Sequence, residues 1–267
     1  QVFLLMSSYR DVMDGIPSID GGYADGLVEF IRDTVRGSGC NGVVIGLSGG
    51  IDSAVVTKLA VDALGAENVI NVFMPSSTTP KDDHRCTSEF SSSLGTDYRV
   101  ISISPMVDAF SSALGLDDGD RLEKGNISAR CRMIILFDIA KRMNHLVLGT
   151  SNRSEMMMGY FTKFGDGACD VVPIVNLYKT QVRELARIIG IPEDFITKAP
   201  SAGLWDGQTD EDEMGILYKD LDNVLSRLDS MGDAKISEIT GVSLEKVSEI
   251  REKVRKTAHK REPAISP

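Results

Sequence analysis

The chain has 267 residues, 42% apolar and 25% charged, a composition that suits a globule with a sizeable core: one large α/β domain, or a domain with an appendage. Its formal charge of -10 and isoelectric point near 4.9 argue against a nucleic-acid partner held through its backbone, although nucleotides remain open to it where local N–H groups, Lys, Arg and a cation outweigh the global field. Four scattered cysteines (Cys40, Cys86, Cys131, Cys169) without a C-x-x-C pair, and only three histidines, argue against zinc and read as reduced thiols of a cytoplasmic protein.

Residues 2–6 form an apolar run too short for a signal peptide, and no stretch suits a transmembrane helix. Leu27, Phe30, Ile31 and Val35 predict a helix over residues 23–36, packed on a sheet or on a second subunit. Gly37-Ser38-Gly39-Cys40-Asn41-Gly42 matches G-x-G-x-x-G but follows a helix and precedes a strand, the reverse of the dinucleotide fingerprint, so it reads as a linker. Residues 43–47, β-branched and bounded by Gly42, read as a buried strand, and Val55, Val56, Leu59, Ala60, Ala63 and Leu64 recur at helical spacing.

Between that strand and that helix stand Gly46, Leu47, Ser48, Gly49, Gly50, Ile51, Asp52 and Ser53. Such a junction gathers anions, because unpaired N–H groups and the positive end of the helix point at one spot. Glycines let the backbone turn sharply and leave room for a phosphate. Ser48 and Ser53 add hydroxyl donors. Asp52 would repel phosphates unless a cation lay between, which marks it as a ligand of Mg²⁺, an ion held by one or two carboxylates plus phosphate oxygens.

Further strands are expected over residues 69–74, 98–103 and 145–148, and helices over 81–94, 105–114 and 126–143. The alternation predicts an α/β fold: a doubly wound parallel sheet with helices on both faces and ligands at the carboxyl ends of its strands. Residues 115–125, with Asp117, Asp118, Asp120 and Glu123, read as a solvated loop. Thr150 and Glu155 follow a strand end, so Glu155 could join Asp52 on the metal and Thr150 could reach a nucleotide. In residues 159–170, two aromatics flank Lys163 with Asp166 and Asp170 nearby, a set able to stack on a ring and bind an anion and a hydroxyl. A helix is expected over 177–189, stopped by Gly190 and Pro192. Lys179 lies in its first turn, against the dipole, which makes sense if it reaches a phosphate.

Residues 198–213 read as a long lid loop carrying Trp205, the only tryptophan, and an acidic run. A helix over 214–228 follows, with Leu217, Leu221, Val224, Leu225 and Leu228 as its buried stripe. Helices over 235–241 and 243–257 lead to the basic cluster His259-Lys260-Arg261. The expected division is a single domain: residues 1–42 an N-terminal helical segment, 43–200 the nucleotide-binding core, 201–267 the lid and C-terminal helices.

Ser48-Gly49-Gly50-Ile51-Asp52-Ser53 resembles the signature of the PP-loop ATP pyrophosphatases, which split ATP into AMP and pyrophosphate on adenine nucleotide α-hydrolase-like sheets. Other stretches narrow the choice. Gly125-Asn126, Ala129-Arg130, Arg132-Met133 and Leu148-Gly149-Thr150 with Glu155 come first. Gly159-Tyr160-Phe161-Thr162-Lys163-Phe164-Gly165-Asp166-Gly167, Lys198-Ala199-Pro200-Ser201-Ala202, Asp210-Glu211 and His259-Lys260-Arg261 follow. In this order they resemble the ammonia-dependent NAD synthetases, from Gly46 to Arg261. Ile51 and Ala258 depart from residues common in bacterial members, glutamine and glutamate respectively.

The resemblance implies ATP-dependent amidation of deamido-NAD through an adenylate. The turn over 46–53, with Thr150, Lys179 and Ser201, would hold ATP, and Asp52 and Glu155 would hold Mg²⁺. Arg130, Lys163, Asp170, His259 and Lys260 would bind deamido-NAD. Asp52, Lys179 and Asp166 would serve catalysis, an acid near Asp166 or Asp170 being able to take ammonia's proton. It also implies a cytoplasmic homodimer with the dinucleotide site at the interface, and loops near 71–87 and 200–213 that order on binding. No glutamine-hydrolysing domain is apparent, so free ammonia is the expected nitrogen source. The rivals are a tRNA-modifying PP-loop enzyme, for which a basic face and catalytic cysteines are lacking, and a non-catalytic ATP-binding module.

Overall fold

The computed structural model describes residues 16–201 and 209–263. In chain order, α1 (Gly21–Ser38) precedes β1 (Gly42–Gly46), α2 (Ile51–Leu64), β2 (Val69–Phe73), α3 (Lys81–Leu94), β3 (Asp97–Val100), α4 (Ser104–Leu114), α5 (Arg121–Met143) and β4 (His145–Leu148). Then come α6 (Arg153–Met158), α7 (Lys179–Ile188), α8 (Glu193–Thr197), α9 (Asp210–Met214), α10 (Tyr218–Leu225), α11 (Asp233–Thr240) and α12 (Leu244–Lys256). The strands form one parallel sheet in the order β3-β2-β1-β4, with Val44 opposite both Ile70 and Val147.

β1 is buried on both faces, as a central parallel strand must be. Val43 and Ile45 pack with Ile31 and Val35 of α1, Val55 and Leu59 of α2, and Leu185 of α7. Val44 belongs to the opposite core, with Ile70, Val72, Ile103, Cys131, Ile139 and Val147. Each such aliphatic side chain contributes ~1.5–3 kcal/mol on burial. The sheet therefore fixes the end of β1 rigidly, and the glycine turn leaves from that end. A third core joins the C-terminal helices through Tyr218, Leu221, Val224, Ile236, Val247 and Ile250, with Met158 and Tyr178 reaching into it. Asp222, fully buried, ties this part to the sheet layer by accepting from Ser154 Oγ (2.5 Å) and Thr180 N–H (2.9 Å).

α1 packs on α2, which itself lies against β1, while Phe30 remains 39% exposed. Several expectations need correction. α5 begins at Arg121, five residues early, because good helix formers precede Gly125 and the helix absorbs that glycine. A short helix, α6, stands where polar loop residues were expected, and α8 fills residues for which the sequence makes no prediction. The acidic run is helical: Thr209 caps α9 by accepting from Asp212 N–H (3.1 Å), and acids in a first turn favour the dipole. The helix expected over 214–228 is broken at Gly215 (φ 61°), so Leu217 is 57% exposed rather than buried. Trp205 and the apolar run at residues 2–6 lie outside the described residues. No helix among the described residues is long and apolar enough to cross a membrane.

Candidate active site

The turn after β1 is held from both sides. Leu47 N–H donates to Val72 O (3.0 Å), so its start stays pinned to β2. Gly49 has φ 82°, and a Cβ there would lie 3.2 Å from Asp83 Cγ, so this position needs glycine for both conformation and space. Gly50 is extended at φ -91°. Ser53 is buried; its hydroxyl donates to Gly50 O (2.9 Å) and accepts from Ser48 N–H (3.2 Å), so its proton is committed to the turn itself. Lys198 Nζ spans the rim, 2.5 Å from Asp83 Oδ1 and 3.3 Å from Gly49 O.

Asp52, in the first turn of α2, meets two residues from the far side of β4. Lys179 Nζ lies 2.5 Å from Asp52 Oδ2 and 3.1 Å from Glu155 Oε1, with the lysine only 2% exposed. The lysine that broke the dipole rule is thus a buried counter-ion. Asn152 joins the same network: its Nδ2 donates to Asp52 Oδ1 (2.9 Å), while its Oδ1 and N–H form a capping box with Glu155 at the start of α6. Asp222, bonded to Ser154 and Thr180, holds α6 and α7 together beneath the pair.

These groups face a cavity and are shielded from bulk water. Burial, only partly offset by Lys179 and reinforced by the charges of Asp52 and Asp210, pushes the Glu155 carboxyl up to about 8. Burial pulls the Lys179 ammonium down, but Asp52 and Glu155 more than reverse this and leave it raised. Asp210 is raised by burial, against the pull of Lys179 and Tyr218. Three acidic side chains share one ammonium, and the raised values of Glu155 and Asp210 mark a site short of positive charge. Its donors are hard oxygens, the chemistry Mg²⁺ prefers.

The cavity is about 750 Å³. Of the residues singled out from sequence, Gly46, Leu47, Ser48, Gly50, Ile51, Asp52, Ser53, Thr150, Glu155, Asp166, Lys179, Ser201 and Lys260 line it. Asp166 lines the cavity and stays exposed along its open side; desolvation by the surrounding wall raises it, opposed by hydrogen bonds from Thr162 and by Arg132, and Thr162 N–H donates to its Oδ1 (2.8 Å). Arg130, Lys163, Asp170 and His259 are not part of the lining. Arg130 Nη2 donates to Lys163 O (3.3 Å) and Lys163 Nζ to His259 O (2.5 Å), a chain along the outer surface. Asp170 Oδ2 accepts from Val147 N–H (2.8 Å) at the sheet edge. Lys260 Nζ donates to Gly159 O (2.7 Å) and Phe161 O (2.8 Å), and Arg261 binds the Met156 and Met157 carbonyls, so the basic end staples the 159–167 block.

The sequence assigns no site role to Asp83, Asn152 or Tyr218, and it carries Arg132, Lys198 and Asp210 only as members of motifs, without a role. The Asn152-x-x-Glu155 capping pattern was legible. The Lys198–Asp83 pair, 115 residues apart, carried no local signal.

A parallel sheet whose first strand ends in this glycine turn, with two carboxylates and a lysine facing one nucleotide-sized cavity, defines an ATP pyrophosphatase of the PP-loop class. Residues 23–264 match the model of one family, described as NAD synthase. The chain belongs to the NAD synthase family. It is 48% identical to the NH(3)-dependent NAD(+) synthetase of Thermococcus kodakarensis over 90% of this chain and 94% of that one. Among solved structures it resembles the NMN synthetase of Francisella tularensis (40% identity, TM-score 0.82, 92% and 97% covered). The NH3-dependent NAD synthetase of Campylobacter jejuni, in complex with the nitrate ion, is a second (31%, TM-score 0.78, 94% and 100% covered). Membership of this family does not favour a tRNA-modifying or non-catalytic reading.

Proposed function

We infer that this chain makes NAD by ATP-dependent amidation of deamido-NAD with ammonia, through an adenylate, releasing AMP and pyrophosphate. The observation that carries this reading is the meeting of the 46–53 turn, Asp52, Glu155 and Lys179 in one cavity of a NAD synthase family member. A carboxylate resists ammonia because its leaving group would be oxide. Attack of the nicotinate carboxylate on the α-phosphorus expels pyrophosphate, for which the turn is the natural seat. Ammonia then attacks the activated carbonyl carbon, the bond to AMP breaks, and one proton leaves. We assign that proton to Asp166, an acid that lines the cavity and whose pKa is raised by desolvation, a reading supported by its place in the lining.

Asp52 and Glu155 would hold Mg²⁺. Among the described residues no group of three or more His, Cys, Asp or Glu could hold a metal, so phosphate oxygens and water would complete the shell, as this ion favours. Bound there, it would neutralise charge on the departing pyrophosphate. Thr150 and Ser201 line the same cavity and suit ATP contacts. Arg130, Lys163, Asp170 and His259, outside it, suit a dinucleotide site completed by a second copy. Phe110, Leu114, Leu122 and Ile134 of α4 and α5 are 49–64% exposed, which supports a homodimer. We read the chain as one domain, since α10 packs on both α6 and α7, and as cytoplasmic, a reading its four free thiols support.

The Francisella tularensis neighbour is named for NMN, not NAD, which favours a second reading in which the shorter nicotinate mononucleotide is amidated. The deciding experiment measures AMP and amide product from ATP and ammonium with deamido-NAD or nicotinate mononucleotide, glutamine replacing ammonium as control. Deamido-NAD should give the higher kcat/KM; a preference for the mononucleotide would transfer the assignment. Asp52→Ala should abolish pyrophosphate release with the fold intact by circular dichroism, and unchanged turnover would refute the metal reading.

A further inference from the structure

Lys179 stands in an awkward place for an enzyme that loads a divalent cation. Its ammonium bridges Asp52 Oδ2 (2.5 Å) and Glu155 Oε1 (3.1 Å), the two carboxylates proposed above as metal ligands. Two cations cannot share that gap. A cation arriving there must move the ammonium, and a buried ammonium must find another counter-ion.

Asp210, which bonds both the Tyr218 and the Tyr160 hydroxyls, keeps one oxygen open to receive it. Asp210 is 3% exposed, and its Oδ1 has no hydrogen-bond partner among the described residues. A buried carboxylate oxygen left unpaired is costly and calls for a function. Its other oxygen is fixed by the Tyr218 hydroxyl (3.1 Å), and its N–H by Pro200 O (2.9 Å), so the group is held in position. Tyr218 also supplies a path. Its ring face lies 5.2 Å from Lys179 Nζ, so the ammonium already rests over the ring whose hydroxyl end meets Asp210.

We propose that Lys179 is a place-holder for the divalent cation, bridging Asp52 and Glu155 until the metal arrives, and that Asp210 is the counter-ion to which it then moves. The inference rests on the metal reading above. Asp210 is a positioning residue here: it acts through Lys179. The exchange keeps the lysine in the cavity beside the phosphate seat and leaves no charge stranded. With the metal bound, three carboxylates face one ammonium and one divalent ion, and the charges balance.

The test is Mn²⁺ binding by titration calorimetry to the full chain without nucleotide, in wild type, Asp210→Asn, Lys179→Gln and the double variant. In the wild-type background Asp210→Asn should weaken Mn²⁺ by about tenfold, because the displaced ammonium loses its counter-ion. In the Lys179→Gln background the same change should have no effect. Equal weakening in both backgrounds, or none in either, overturns the exchange. Asp52→Asn separates the two readings: Mn²⁺ binding indifferent to it sinks the metal site and the exchange together, whereas binding that depends on Asp52 but lacks Lys179–Asp210 coupling sinks the exchange alone. If Lys179→Gln does not fold, a Mn²⁺-soaked wild-type crystal decides. Lys179 Nζ should then be bonded to Asp210 Oδ1, and an ammonium still bridging Asp52 and Glu155 beside bound metal overturns the proposal.

Discussion

The two glycines of the turn look equivalent in sequence and should respond differently to alanine. Gly49 is left-handed at φ 82°, which costs a residue with a Cβ about 1–2 kcal/mol. The new Cβ would also lie 3.2 Å from Asp83 Cγ and 3.3 Å from Asp83 Cβ. Asp83 cannot retreat freely, because Lys198 grips it at 2.5 Å and reaches Gly49 O from the same side. We therefore expect Gly49→Ala to cost about 2 kcal/mol and lower the melting temperature by about 4–8 °C. Turnover should fall by about a hundredfold, since the turn shifts against the reacting phosphates. Gly50 has φ -91°, and a Cβ there would meet only Ser48 Oγ at 3.4 Å, so Gly50→Ala should change stability by less than about 0.5 kcal/mol. Thermal melts by circular dichroism and a pyrophosphate-release assay on both variants test this. Wild-type melting and turnover for Gly49→Ala would refute the reasoning, as would equal destabilisation by the two substitutions.

Other expectations concern the groups around the turn. In the metal-free chain the Glu155 carboxyl lies at about 8 against an ordinary 4.5, so the folded state favours the proton. The stability this provides is full below about 4.5 and is lost as pH rises through about 8, and Glu155→Gln should flatten the decline seen in melts across that window. An unchanged pH profile in the variant would contradict it. Asp222→Ala leaves Ser154 Oγ and Thr180 N–H without their buried acceptor, at ~1–3 kcal/mol. It should also reduce kcat by loosening α6 against α7, and a destabilised variant with unaltered kcat would show that Asp222 does not hold Glu155 to Lys179. Lys163→Ala frees the chain end held at His259 O and Glu262 O, and should raise the deamido-NAD KM about tenfold with little change for ATP. Equal losses for both substrates would count against that role.

Much of the frame was legible because its signals are local. The helix over 81–94 and the strand over 145–148 match α3 and β4 residue for residue, each bounded by its own turn chemistry. Errors fall where two local signals compete. Gly125 reads as the edge of a loop, but the helix formers Arg121 to Lys124 before it carry α5 through it. Leu217 was placed on a buried stripe, but Gly215 ends the helix before that stripe begins.

The glycine turn with Asp52 at the head of its helix follows from the chain itself, since a strand, two glycines and a helix start lie within nine consecutive residues. What surrounds it does not. Lys179 reads from sequence as a cation on the wrong end of a helix; only the approach of α2, α6 and α7 makes it a buried ion-pair partner of Asp52 and Glu155, and only α9 and α10 bring Asp210 and Tyr218 beside it. Periodicity and turn chemistry are properties of neighbours along the chain. Desolvation and charge pairing belong to neighbours in space, and those appear once the helices have packed.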